Sequence, residues 1–145
     1  MSLIKNLKVP NIRILPTSPS EECFSTLSKA YYFYTTTLKS QNGYYKFRAL
    51  GLNSPPQSII LFQYRNNIVA SAILLKDSNS LRKSKYPDTP SMRVDVDSIA
   101  IFNPPISFNA LKSICPTLIP FSDKKQIIDN CYVDALNAFI RSRKI

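Results

Sequence analysis

Residues 58–64 and 68–76 are two apolar runs rich in β-branched and aromatic side chains, and only Arg65-Asn66-Asn67 separates them. A connection that short joins antiparallel neighbours, with Asn expected to supply the positive φ of the turn, so the pair reads as a β-hairpin. A parallel step would need a crossover of roughly a dozen residues or more. With its strands grouped mid-chain and joined this way, the chain favours antiparallel pairing or a small barrel over a doubly wound parallel sheet.

The flanking segments complete an α+β pattern. Residues 11–15 form a short strand ended by Pro16. Ser18, Pro19 and Glu21 then make a helix start, with Ser18 as cap and Glu21 as its capping-box partner. Phe24, Leu27, Tyr31, Tyr34 and Leu38 recur at spacings of 3, 4, 3 and 4, which predicts a helix to about residue 34. The aromatic and β-branched run 31–37 leaves a strand open as the alternative there. Tyr44-Tyr45-Lys46-Phe47-Arg48 reads as a short strand or an irregular piece, and residues 77–90 as a polar excursion.

Met92, Val94 and Val96 alternate with Arg93, Asp95 and Asp97, which predicts one long strand over 91–102 with a bulge near Ser98, ended by Pro104 and Pro105. Ser107 caps a short helix over 108–115 that Pro116 stops. Ser122 caps a last helix carrying Ile128, Cys131, Tyr132, Ala135, Leu136 and Phe139, with Arg141, Arg143 and Lys144 suiting its negative end. The expected fold is a small antiparallel or mixed β-barrel of about five strands with three flanking helices. At 145 residues the chain is read as one domain over 1–145, or as the recognition fragment of a longer protein.

Composition removes several chemistries. The chain has no histidine, so Ser-His-Asp and Cys-His catalysis are excluded within it. Cys23, Cys115 and Cys131 lack C-x-x-C spacing, and neither a zinc cage nor a dithiol redox motif is expected. With two glycines, no phosphate-cradling Gly-rich loop can be built. No cofactor or metal is expected. Residues 1–10 hold no secretory apolar run and no stretch is long enough to span a bilayer, so an intracellular protein with reduced thiols is expected.

Charge points to a partner. The net charge is +10, and residues 39–93 hold nine basic residues against two acids, whereas residues 94–140 hold three against five. Such a field attracts polyanions, and Lys and Arg density of this kind suits phosphate contact. Its bland alternative is a solvated basic surface.

The middle of the chain resembles the PUA-like superfamily, in particular its EVE, YTH and ASCH branches. The resemblance rests on Ile59-Ile60-Leu61-Phe62-Gln63-Tyr64 followed by Asn67-Ile68-Val69-Ala70-Ser71-Ala72, with Ala70 where glycine is usual. It continues through Tyr86-Pro87-Asp88, Val94-Asp95-Val96-Asp97 and the stretch from Phe102 to Lys112. It covers roughly residues 58–115 and extends further only by the order of elements. It implies a small β-barrel that binds RNA, or modified or flipped bases in DNA, as in the recognition domains of modification-dependent restriction systems. YTH and many EVE domains stack a base on tryptophan; this chain has none, so Tyr and Phe would have to line such a pocket.

The candidate site follows from interleaved rings and cations. Tyr44, Tyr45, Lys46 and Arg48 form one cluster, Tyr64 and Arg65 another, and Tyr32 lies off the apolar helical face. A splayed base stacked on such rings gains about 1–3 kcal/mol. Arg82, Lys83 and Lys85 extend the basic rim. Ser18 and Ser20, between the first strand and first helix, are candidates to face the ligand as well as to cap. For each ring the competing role is core packing. Asp95 and Asp97 invite a metal-nuclease reading, but they alternate as on a solvent-facing strand and no Glu-x-Lys follows. The expected function is therefore a non-catalytic nucleic-acid-binding module, DNA preferred and RNA possible, with a nuclease or motor as fused domain or partner. Its rival is a protein-interaction module docking an acidic partner.

Overall fold

A computed structural model describes residues 10–17, 21–45, 55–76, 92–121 and 126–143. Among these residues the seven strands are β1 (Ile12–Pro16), β2 (Tyr44–Tyr45), β3 (Ile59–Tyr64), β4 (Asn67–Lys76), β5 (Met92–Val94), β6 (Ala100–Ser107) and β7 (Gln126–Ile127). They form one mixed sheet in the order β2-β5-β4-β3-β1-β7, with β6 also paired to β4. β1 and β3 are parallel, from Ile12↔Ile59 to Pro16↔Gln63, and the other pairings are antiparallel. This replaces the expected five-stranded barrel: the sheet is open. Long β4 gives its first half to β6 and its last residues to β5, so its second edge is shared among strands instead of being used to close a ring.

Among the described residues, three helices accompany the sheet besides short 3-10 turns. α1 covers 27–40 and is α-helical over Leu27–Tyr32, π-helical over Phe33–Thr37 and α-helical again over Leu38–Ser40. α2 is Phe108–Lys112 and α3 is Val133–Arg143. β3 explains the layering. Its Ile60, Phe62 and Tyr64 pack with Phe24, Ala30, Phe33, Tyr34 and Leu38 of the α1 side, while Ile59 and Leu61 pack with Leu111, Val133, Leu136 and Ile140 of α2 and α3. Successive strand side chains point to opposite faces, so a strand covered on both sides is apolar throughout. In β4 a bulge at Val69 interrupts that period: Phe62 pairs Ala70 while Gln63 pairs Ile68. Ile68 then serves the α2–α3 core, and Val69, Ala70, Ala72 and Leu74 the α1 core.

Several local expectations change. The described part of the first helix is capped by Thr26, whose Oγ1 accepts the Lys29 N–H at 3.1 Å, after a 3-10 turn at Glu22–Phe24. Ser18 and Ser20 lie outside the described residues. The strand alternative for 31–37 is overturned: the segment stays helical, and the Leu38 N–H reaches the Phe33 carbonyl across the wide turn. The Thr35 hydroxyl donates to the Tyr31 carbonyl at 2.8 Å. In the hairpin it is Arg65, not an Asn, that takes positive φ, at 55°.

The single strand expected over 91–102 is broken. Asp95 caps a 3-10 turn at Val96–Ser98, its carboxylate accepting the Asp97 N–H at 3.0 Å. β6 runs through Pro104 and Pro105 instead of ending there, because β4 offers residues 102–105 no partner: pairing passes from Ile101↔Ala70 to Ile106↔Ile68. A proline without a ladder bond to make costs the sheet nothing there. The last helix starts later than expected. Gln126–Ile127 is an edge strand, Asp129 caps a 3-10 turn at Asn130–Tyr132, and α3 begins at Val133. Ser122 lies outside the described residues.

Candidate nucleic-acid interface

The sequence-predicted site residues separate into four fates. Lys46, Arg48, Arg82, Lys83 and Lys85, with Ser18 and Ser20, lie outside the described residues. Tyr45 is 1% exposed and sits in the α1 core, its ring 6.0 Å from that of Phe33 and 5.4 Å from that of Phe62. It is the inward residue of β2, and burial pushes its phenol far above the ordinary value. Tyr64 is 8% exposed and belongs to the same core. Neither ring is a stacking platform; the alternation of strand faces turns both inward.

Arg65 caps Tyr64 from outside. Its guanidinium carbon lies 5.4 Å from the ring centroid and its Nε donates to the Tyr64 hydroxyl at 3.3 Å. The Arg65 carbonyl accepts from Gln63 Nε2 at 3.0 Å, which helps hold the left-handed turn. Tyr44, the outward residue of β2, is covered in the same manner by Arg93, 5.3 Å from its centroid. Such cation–π contacts favour arginine and leave its charge available at the surface.

Tyr32 is 62% exposed. It stands on a groove of about 350 Å³ whose lining includes Cys23, Ser28, Lys29, Phe33 and Thr37. The groove forms where the 3-10 turn meets the π turn, which brings Tyr32, Phe33 and Thr37 to it while Tyr34 and Leu38 stay in the core. Its volume is at the small end of ligand sites. Lys29 pairs with Glu22 at the rim, and the ammonium holds the Glu22 carboxyl below its usual range. Partial burial pushes the Cys23 thiol up, so it stays protonated and unreactive near neutral pH. Asp95 and Asp97 sit on the 3-10 turn after β5, and among the described residues no group of three or more metal-ligating side chains forms.

No protein-family model matches the chain, and no curated protein matches it in sequence. Solved structures are similar in fold. The crystal structure of ASCH from Zymomonas mobilis aligns at a TM-score of 0.49 and 12% identity, covering 88% of this chain and 94% of that one. A point mutant of the Zymomonas mobilis protein aligns at 0.50 and 12%, covering 92% of this chain and 99% of that one. The fold is ASCH-like. That likeness is one of architecture, in line with the resemblance carried by the residues of the central hairpin, and the open mixed sheet is the form it takes here.

Two groups that the sequence does not single out come forward in the structure. Arg93 and Lys76 are far apart in the chain, and only the strand register brings them together. Cys23, Ser28 and Thr37 share a groove with Tyr32 because a π turn adds a residue to the helical period, a feature that a 3-and-4 spacing does not reveal.

Proposed function

We propose that the chain is a nucleic-acid-binding module that seats one unpaired or flipped base, with DNA the preferred and RNA the second partner, and has no catalysis of its own. The observation that carries this is Tyr32, an exposed ring beside a groove of about 350 Å³ in a chain of net charge +10. An aromatic face in a groove stacks a heteroaromatic ring, and the net positive charge of the chain attracts the phosphates that come with it. The ASCH-like fold supports it through the superfamily resemblance. Tyr32 takes over the role first expected of Tyr45 and Tyr64.

The test is fluorescence anisotropy with labelled single-stranded DNA, single-stranded RNA, and duplexes with and without a methylated base. Tyr32→Ala is expected to weaken single-strand binding by about fivefold to 150-fold, the range of one lost base stack. It should leave thermal stability unchanged, because the ring is outside the core. Absence of binding to every probe at low salt would overturn the assignment.

A further inference from the structure

Where β2, β5 and β4 lie side by side, Tyr44 stands opposite Arg93 and Arg93 stands opposite Lys76. Residues in direct register share a face of the sheet. This is the solvent side, since Tyr45, Met92, Val94 and Leu74 on the other side are all buried. Two cations directly opposite one another repel and destabilise the pair of strands that carries them.

The ladder does not produce this by default. From the pair Leu74↔Val94, a regular antiparallel register would set Leu75 against Arg93. A bulge at this point sets Lys76 there instead. A local irregularity thus brings a second cation to the first, at a cost in repulsion. Arg93 is also held in place: its Nε donates to the Asn42 carbonyl at 3.1 Å while its guanidinium lies over Tyr44. Among the described residues no carboxylate pairs with Arg93 or Lys76. Asp95, two positions along from Arg93, has its carboxylate engaged by the Asp97 N–H.

We propose that the row Tyr44, Arg93, Lys76 is a phosphate clamp for the backbone of a single-stranded nucleic acid. Arg93, oriented by the ring and the carbonyl, presents its remaining donors to phosphate oxygens in the fork geometry that suits them. Lys76 adds a point charge one strand over, and a bound phosphodiester removes the repulsion between the two cations. The clamp rests on the nucleic-acid reading above and adds to it a phosphate site that does not depend on the base groove.

The experiment measures affinity for a labelled oligothymidine against salt, between about 50 and 200 mM, for the wild type and for the double variant Arg93→Gln, Lys76→Gln. Losing two phosphate contacts is expected to make the slope of log affinity against log salt shallower by about 1.4, or about 0.7 per contact on a single strand. Tyr32→Ala should lower affinity with the slope unchanged. The single variant Lys76→Gln, which relieves the repulsion in the free protein, guards against misfolding: it should melt no lower than wild type and still lose about 0.7 of slope. If the wild type binds oligothymidine but the double variant keeps its slope, the clamp is wrong and the module stands. If the wild type binds no oligonucleotide, both fall. Binding confined to vesicles containing phosphatidylserine would reassign the row to a membrane surface and overturn the proposal.

Discussion

Gly43 shows how much one residue can decide. It lies in the turn between α1 and β2 at φ +86°, after Asn42 at +61°, and its carbonyl accepts the Val94 N–H at 2.9 Å. A Cβ placed on it would stand 2.1 Å from the Val94 carbonyl oxygen, a backbone atom that cannot swing aside. The turn therefore needs glycine for its conformation and for the close approach of β5. Gly43→Ala is expected to cost about 2–3 kcal/mol, read as a lower urea midpoint. It should also weaken oligonucleotide binding, because the same turn supplies the Asn42 carbonyl that positions Arg93. An unchanged midpoint would show that β2 and β5 meet in some other way.

At the scale of elements, α1 depends on a cap that the sequence reading placed elsewhere. Thr26→Ala removes the oxygen that accepts the Lys29 N–H and is expected to cost about 1 kcal/mol in a denaturant titration, with Thr26→Ser close to wild type. Equal stability of the alanine and serine variants would return the helix start to the segment before Glu21. Those elements were legible whose apolar pattern is plain along the chain. β3 and β4 were, because two apolar, β-rich runs separated by three residues pair as a hairpin; so was the buried face with Tyr34 and Leu38, because a helix repeats every three or four. What escaped was every change of period. The π turn at Phe33–Thr37 hides inside an apolar spacing that a plain helix also satisfies. The bulges at Val69 and beside Lys76 each shift register by one residue, which decides which side chains meet without altering composition. Asp95 and Asp97 alternate as strand residues do, yet the Asp95 carboxylate bonds its own chain two residues on and turns it. Of the site, the exposure of Tyr32 was legible from its place off the apolar face. The inward turn of Tyr45 and Tyr64 was not, since a ring beside a cation looks the same in sequence whether it packs or stacks.

Across the whole molecule, the sheet is covered on both faces around β3, and the α1 side carries the buried aromatics. Tyr34 packs against Phe24 and Phe62, with ring centroids 5.8 and 4.7 Å away, and Tyr45 joins the same cluster through Phe62 and Phe33. Burial pushes both phenols up, with Tyr45 and Cys23 adding to the rise at Tyr34 and Cys23 and Glu21 to that at Tyr45. A phenol held neutral by the fold ionises freely once the chain unfolds. Its contribution is complete below about pH 10, the ordinary phenol value, and is lost as pH rises from there toward the folded value. The free energy of unfolding should therefore fall above about pH 10 by about 1.4 kcal/mol per pH unit for each of the two phenols. Urea midpoints measured between pH 8 and 11 check this, and Tyr45→Phe isolates one share, since phenylalanine keeps the ring in the cluster and has no proton to lose. The variant should lose stability less steeply over that interval than wild type, whatever it gains or loses at neutral pH. Parallel curves for the two proteins would mean that the Tyr45 hydroxyl meets solvent, and the α1 core would then be open at the place where β2 is meant to seal it.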